Sequence, residues 1–307
     1  QGVDFIVANT DLQALLTDYH ARGMSPVFGV GVEADLRNST TNMLYVVQGG
    51  LGLPEKDYYL REDERSVQLR QQYVEHVASS LALVGAAPEA ARAQAERVMA
   101  METRLARASL GAVEMRNPAN FYNPTTVAEA EQVTPRFRWS RFLDAIGVRA
   151  ERFSFPHRAF FTEMDAMLGE VPVEDWRAYL RWNLLRGAAP FLSSAFERES
   201  FRFYGTILEG TPQMEPRWRR ARSAVDAMVG EALGQLYVAE AFPPEAKARA
   251  MAMIDNIRAA EANLDPKLVR LDPGIVVLVA QSIDASSSDQ SLQLSDHAIA
   301  LIWRMVR

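Results

Sequence analysis

Residues Gln48–Leu60 read QGGLGLPEKDYYL, with glycine at 49, 50 and 52, Pro54, and the tyrosine pair Tyr58 and Tyr59. Such a stretch is either a ligand-cradling loop or a turn held in one unusual backbone path. A phosphate loop needs Gly-Lys followed by Ser or Thr, so that backbone N–H groups and a lysine surround the phosphates. Here Lys56 sits between Glu55 and Asp57. A dinucleotide fingerprint fails too, because Gly50 and Gly52 are not followed by a glycine at position 55. The stretch reads as punctuation between two elements, not as a cofactor loop.

Upstream, PVFGVGVEADL (26–36) and NMLYVVQ (42–48) are β-branched and aromatic, separated by polar RNSTT (37–41), which predicts a β-hairpin. Asn38-Ser39-Thr40 also fits an N-glycosylation sequon. Before the hairpin, Leu12, Leu15 and Leu16 recur at helical spacing within Asp11–Ala21. Downstream the chain turns helical. Leu69, Tyr73, Val77, Leu81 and Val84 form one stripe, and Pro88 opens an alanine-rich helix that runs to about Arg107. Two Asn-Pro pairs make MRNPANFYNPTT (115–126) an ordered loop. Further helices are predicted over Val127–Gln132, Arg138–Ala145, Arg158–Leu168 and Pro172–Arg186, the last with a buried face of Val173, Trp176, Leu180 and Leu184.

From Pro216, Trp218, Ala221, Val225, Met228, Val229, Ala232, Leu233 and Leu236 line one side of a long helix, which predicts a second buried face. Gly230 and Gly234 would let another helix approach closely, at about 1 kcal/mol of helix propensity each. FPPEAKARAMAMIDNIRAAEA then opens the next helix. Beyond Leu264 the texture changes to a strand-like IVVLVA (275–280), a polar linker and a helical Leu292–Val306. No internal repeat is visible.

The chain has 307 residues, 48% hydrophobic and 23% charged, enough for a substantial core in two lobes. A net charge of -6 and a pI near 5.4 argue against nucleic acid as a partner, because phosphate binding needs a cationic surface. No apolar run approaches the ~20 residues of a membrane-spanning helix. With no cysteine, disulfides and thiolate-ligated metals are excluded. Gln1 in place of an initiator Met reads as the start of a processed or excised segment.

Motifs that carry chemistry are few. A zinc-peptidase helix needs two histidines at i and i+4 with a glutamate beside the first. The four histidines are His20, His76, His157 and His297, and the nearest two lie 56 positions apart. His76, beside the Tyr73/Val77 stripe, reads as a packed, hydrogen-bonded helix residue. No Gly-x-Ser-x-Gly elbow occurs, and Ser286–Ser288 lie in the polar linker. Glu197/Glu199 and Asp63/Glu64 read as solvated faces, and the basic run Arg217–Arg222 as the polar side of its helix.

Several blocks carry a family resemblance. QGGLGLPEKDYYL closely resembles the Gln-x-x-Leu-Gly-Leu-Pro-x-x-Asp-Tyr-Tyr stretch of the neprilysin and endothelin-converting-enzyme family of zinc metalloendopeptidases. FGVGVEADLRNSTTNMLYVVQ (28–48) is similar to the hairpin before it. METRLARASL (101–110) and MRNPANFYNPTT resemble the family's Glu-x-x-Leu-Ala helix and Tyr-Asn loop, with Asn117 where Asp is common. Residues 201–247 match the Phe-Tyr-Gly, Arg-Trp-Lys-Arg and Gly-x-Leu-Tyr-Val signature, with Arg219 in the lysine's place.

The resemblance implies a mainly α fold: a multi-helix lobe with one small β-hairpin near the N-terminus, like the helical non-catalytic lobe of these peptidases. It implies a domain over residues 1–264, incomplete at its start, and a divergent tail over 265–307. It places the glycine loop as a scaffold element whose tyrosines pack or hydrogen-bond within the lobe. The family's chemistry uses His-Glu-x-x-His, a downstream Glu, an Asn-Ala-Tyr segment and a later His, and none of these occurs here. No catalytic or metal-ligating residue is therefore carried over, and the resemblance leaves the substrate-binding residues unknown. The chain is expected to be the substrate-chamber lobe of an oligopeptide-cleaving enzyme, without its zinc site and inactive alone. Zinc belongs to the full-length enzyme, and the partners are peptide substrates and the catalytic C-terminal half. Relatives occupy the bacterial periplasm or cell envelope, are secreted, or are cytoplasmic. The alternative is a non-enzymatic truncated homologue that binds peptides or a partner protein. A lobe without its other half would expose apolar surface, so aggregation is expected.

Overall fold

Alternating β-branched residues form the hairpin that leads into the glycine loop. Strands β1 (Phe28–Asp35) and β2 (Asn38–Gln48) pair antiparallel, Phe28 opposite Gln48, with an irregularity between Ala34 and Asp35. The turn is tighter than the polar RNSTT run implies: only Leu36 and Arg37 separate the strands, and the sequon residues lie within β2. Asp35 Oδ1 accepts from the Arg37 N–H at 2.8 Å, and Asn38 Oδ1 accepts from the Thr40 hydroxyl at 2.7 Å, which closes the bend locally. The computed structural model describes residues 12–262 of the chain. The strand-like 275–280 segment, Ser286–Ser288, His297 and the helix expected over 292–306 lie outside them.

The hairpin is part of a larger sheet. Two three-residue strands, β3 (Pro124–Thr126) and β4 (Arg152–Ser154), extend it in the order β1-β2-β4-β3. β4 runs parallel to β2 through Tyr45 opposite Ser154, and antiparallel to β3. Helix α1 (Leu12–Ala21) precedes the sheet, and a short α2 (Asp57–Leu60) follows the glycine loop. The main helices are α3 (Glu64–Ala82), α4 (Pro88–Ala108), α5 (Val127–Val133), α6 (Trp139–Ala145), α7 (Arg158–Glu170) and α8 (Val173–Ala188). Helix α9 (Ser194–Ser200) leads into a π-helical segment, Phe201–Leu208.

Local chemistry fixes the helix starts. The Asp63 carboxylate caps α3 by accepting from the Ser66 N–H at 3.1 Å, so this acidic residue is a cap and not merely a solvated charge. Pro88 opens α4, where its missing N–H is not needed. Thr126 and Glu129 form a reciprocal capping box at α5. The α3 stripe ends one residue short of expectation: Tyr73, Val77 and Leu81 are buried, but Val84 lies past the helix end and is exposed.

An aromatic core sits against the sheet. The Trp139 ring meets Phe137, Phe142, Phe153, Phe155 and Phe161 with centroids 4.8–5.6 Å apart. Its indole N–H donates to the buried Thr134 hydroxyl at 2.8 Å, so the one polar group of this ring is satisfied. The core continues between α3, α4 and α8, where Ala91 and Ala95 leave room for close helix approach and Trp176, Tyr179 and Trp182 fill the space.

The chain divides into two compact units, one up to Met214 and one from Glu215. The second contains α10 (Arg217–Ala241) and α11 (Pro244–Ala262). The buried face expected along α10 is not buried: Trp218 is 62% exposed, Met228 75% and Leu236 70%. The helix also kinks at Val229 (φ -137°, ψ 28°), next to Gly230, so its apolar residues do not form one straight stripe. No helix among the described residues is long and apolar enough to cross a membrane.

Candidate functional site: a buried carboxylate under the glycine loop

The most elaborate polar constellation among the described residues lies under residues 50–53. Glu102 projects from the apolar face of α4, between Val98 and Leu105, and is fully buried. Its Oε2 accepts the Tyr59 hydroxyl at 2.6 Å, and both oxygens lie within 3.0 Å of the Tyr73 hydroxyl. The Trp182 indole N–H donates to the Tyr73 oxygen at 2.8 Å. Tyr59 also accepts from the backbone N–H groups of Gly52 (3.0 Å) and Leu53 (2.8 Å).

The loop's carbonyls are satisfied just as fully. Gly50 C=O accepts from the Tyr179 hydroxyl at 2.7 Å, Leu51 C=O from Arg186 Nη1 at 2.5 Å, and Gly52 C=O from the Tyr204 hydroxyl at 3.1 Å. Five elements therefore converge on four residues of backbone, which explains the glycines. A Cβ on Gly52 would lie 1.7 Å from the Tyr73 hydroxyl oxygen. Gly50 has a φ of 77° and would place a Cβ 2.3 Å from the Tyr179 hydroxyl. The backbone must approach the polar groups too closely for any side chain to stand there.

The electrostatics are those of a clamp. Burial raises the Glu102 pKa, opposed by the Tyr59 hydrogen bond, the Arg186 charge and the Tyr73 hydrogen bond. Burial and the adjacent Glu102 push Tyr59 and Tyr73 well above the ordinary phenol range. Burial opposes the Arg186 charge, but the neighbouring tyrosines and Glu102 hold its pKa above the usual guanidinium value. A carboxylate with no exposure, ringed by hydroxyls that stay protonated, cannot meet a substrate. The arrangement fixes a loop and a five-element junction.

The histidines are dispersed. His20 bonds the carbonyls of Leu16 (2.8 Å) and Phe28 (3.0 Å). His157 Nδ1 accepts from the Gln48 N–H at 3.0 Å. His76 is buried, stacks on Phe203 with centroids 4.9 Å apart, and donates from Nδ1 to Glu199 Oε1 at 2.8 Å. The packed-helix reading of His76 thus holds. The solvated reading of Glu199 does not: the π-helical turn brings Arg202 onto the carboxylate at 2.7–2.8 Å while His76 approaches from α3, 123 positions away. Burial lowers the His76 pKa more than Glu199 raises it, so at neutral pH the imidazole is an uncharged donor. Glu199 is held at about 2 by Arg202 and His76, against the opposing effect of burial. In the basic run, Arg219 lies over the Trp218 ring at 5.2 Å and pairs with Glu215 at 3.8 Å.

Zinc finds no fitting donor set among the described residues. No group of three or more His, Asp or Glu side chains among the described residues is disposed to hold a metal ion, and His20, His76 and His157 are engaged separately.

Comparison with known proteins gives a consistent answer. The model of Peptidase family M13, for its N-terminal domain, matches residues 4–264. Endothelin-converting enzyme 1 of Bos taurus is 28% identical over 254 residues, covering 81% of this chain and 33% of that protein. Human endothelin-converting enzyme-like 1 is 27% identical over 264 residues, with 82% and 33% covered. Among solved structures, the Mycobacterium tuberculosis zinc metalloprotease Zmp1 in complex with inhibitor superposes with a TM-score of 0.77 at 32% identity, over 86% of this chain and 41% of that one. PepO from Lactobacillus rhamnosis shares the fold with a TM-score of 0.72 at 19% identity. The chain spans about a third of the curated relatives it matches.

Proposed function

The chain belongs to peptidase family M13, and from that membership we infer that it is the helical, substrate-chamber portion of a zinc endopeptidase. The observation that supports this reading is the family match over residues 4–264 in a sequence whose histidines are too far apart for a His-Glu-x-x-His helix. In this reading, residues 1–264 form the chamber domain and residues 265–307 a divergent segment. The peptides cleaved by the complete enzyme are bounded by this lobe, and the zinc ligands and catalytic groups come from sequence this chain does not contain. The Glu102 clamp then holds the glycine loop and α2, α3, α4 and α8 as one rigid body. A chamber wall needs that rigidity more than it needs reactive groups.

Metal analysis after exhaustive dialysis, paired with a fluorogenic peptide assay with and without chelator, tests the inference. The expected result is substoichiometric zinc and no chelator-sensitive cleavage by this chain. Zinc retained at one equivalent, or hydrolysis that a chelator stops, would overturn it.

A further inference from the structure

Away from the glycine loop, the tip of the hairpin faces the segment that enters β3 and the start of β4. Asp35, Arg37, Met43, Tyr122, Asn123, Pro124 and Arg152 line an open concavity of about 580 Å³ there. The Arg37 guanidinium lies over the Tyr122 ring, 5.0 Å from its centroid, and makes no ion pair or side-chain hydrogen bond among the described residues. Arg152 spends one N–H on the Pro124 carbonyl, Nη2 to O at 3.1 Å, and likewise has no carboxylate within ion-pair distance. Most of the ten N–H donors of the two guanidiniums are thus left unused.

The acidic groups nearby are already engaged, Asp35 within the concavity itself, where the Tyr122 hydroxyl also bonds its carboxylate. Asp35 Oδ1 accepts from the Arg37 backbone N–H at 2.8 Å, and Glu129 Oε2 accepts from the Thr126 N–H and hydroxyl at 2.9 and 2.8 Å. The Asn123 side-chain N–H₂ donates to Phe155 C=O at 3.0 Å, which fixes the floor. One guanidinium held by an aromatic face and another held by a carbonyl are oriented before any ligand arrives, so less side-chain freedom is lost on binding.

We propose that this concavity binds a small oxyanion, a carboxylate or a phosphate, between the Arg37 and Arg152 guanidiniums, with Tyr122 as its aromatic wall. A carboxylate or a phosphate offers two oxygens that match the guanidinium fork in a way a lysine ammonium cannot. The site is independent of the zinc chemistry and of the glycine-loop clamp.

Calorimetric titration of the full chain at low, constant ionic strength tests the proposal, with four probes: sodium phosphate, sodium acetate, N-acetyl-dialanine free acid, and the amide of that dipeptide. Saturable binding of at least one oxyanion is expected, weakened at least tenfold in the double variant Arg37→Gln/Arg152→Gln. Arg37→Lys/Arg152→Lys keeps the charge and is also expected to weaken binding, because the fork is lost. Preference for the free-acid dipeptide over its amide identifies a peptide carboxylate as the source, and preference for phosphate identifies a free anion. Both arginines are exposed, so unchanged circular dichroism and melting of the variants are expected. Equal affinity in the wild-type chain and the double Gln variant, or no saturable binding of any oxyanion probe, would overturn the proposal.

Discussion

The two units of this chain treat equally apolar helices in opposite ways. In the unit up to Met214, α3 and α4 bury Tyr73, Val77, Val98 and Leu105 completely, and the backbone of residues 50–53 is hydrogen-bonded by side chains from α2, α8 and the π-helical segment. In the unit from Glu215, α10 carries as many large apolar residues and leaves Trp218, Met228 and Leu236 exposed. Helical periodicity reports which side of a helix is apolar, and says nothing of whether anything lies on that side. What distinguishes the covered helices is a second signal: a charged or hydroxyl group on the apolar face, which is tolerable only where partners already wait. Glu102 on α4 and Tyr73 on α3 are such groups, and α10 has none on its apolar residues' side that is buried.

This contrast can be broken by substitution. Gly52→Ala should have the largest effect, since the new methyl would overlap the Tyr73 hydroxyl; a loss above about 4 kcal/mol in urea unfolding is expected. Gly147→Ala is the matched comparison, with a φ of 74° but nothing within 4 Å, and should cost only about 1–2 kcal/mol. Equal costs at the two glycines would show that the clamp is not what demands Gly52. Glu102→Ala should cost about 3–5 kcal/mol, because it leaves the Tyr59 and Tyr73 hydroxyls buried without their acceptor and removes the negative charge nearest the buried Arg186 guanidinium. A loss below 1 kcal/mol, on the order of a surface substitution, would contradict the clamp.

Acid sensitivity sharpens the comparison at the His76–Glu199–Arg202 junction. Glu199 has a folded pKa of about 2 against an ordinary 4.5, so the native state binds its proton less readily than the unfolded chain. Its contribution is fully present above pH 4.5 and is lost as pH falls toward about 2. His76 acts at higher pH with the same sign: its lowered pKa means that stability falls as pH drops below 6.5. Glu199→Gln should therefore flatten the stability–pH curve between pH 4.5 and 2 and, by removing the carboxylate that raises the His76 pKa, deepen the His76 step below 6.5. An unchanged slope in the lower window would refute the assignment. The smallest effects belong to α10: Met228→Ser and Leu236→Ser should each change the stability of this chain by less than about 0.5 kcal/mol. A loss of 2 kcal/mol, on the order of a buried-core substitution, would mean that α10 is covered in solution.

The sequence carries some of this clearly. The hairpin shows in the alternation of Phe28 to Val47, the α3 and α4 boundaries in Asp63, Pro88 and the Tyr73/Val77/Leu81 spacing, and the glycine loop in its composition. Strands β3 and β4 do not show, because three residues are too few for a period and β4 meets β2 only at Tyr45 and Ser154, over a hundred positions apart. Glu102 is not singled out by the sequence reading, although a carboxylate on the Val98/Leu105 face is a conflict between charge and position that marks a buried partner set. Its partners were not visible, since Tyr59, Tyr73 and Arg186 come from three other helices. Glu199 was misplaced for the same reason: its neighbours in sequence are polar, and the group that buries it is His76, far upstream.

Gln48 turns its side-chain amide on Leu110 as a backbone peptide would, accepting from the N–H at 2.8 Å and donating to the C=O at 2.9 Å. Chemical ageing would read that mimicry directly. Deamidation of Gln48 replaces the donor by an oxygen facing the Leu110 carbonyl, so a protein that has lost a single ammonia would find the end of α4 repelled from the sheet. A chain deamidated at Gln48 should therefore come apart first at this seam, with the glycine loop still closed.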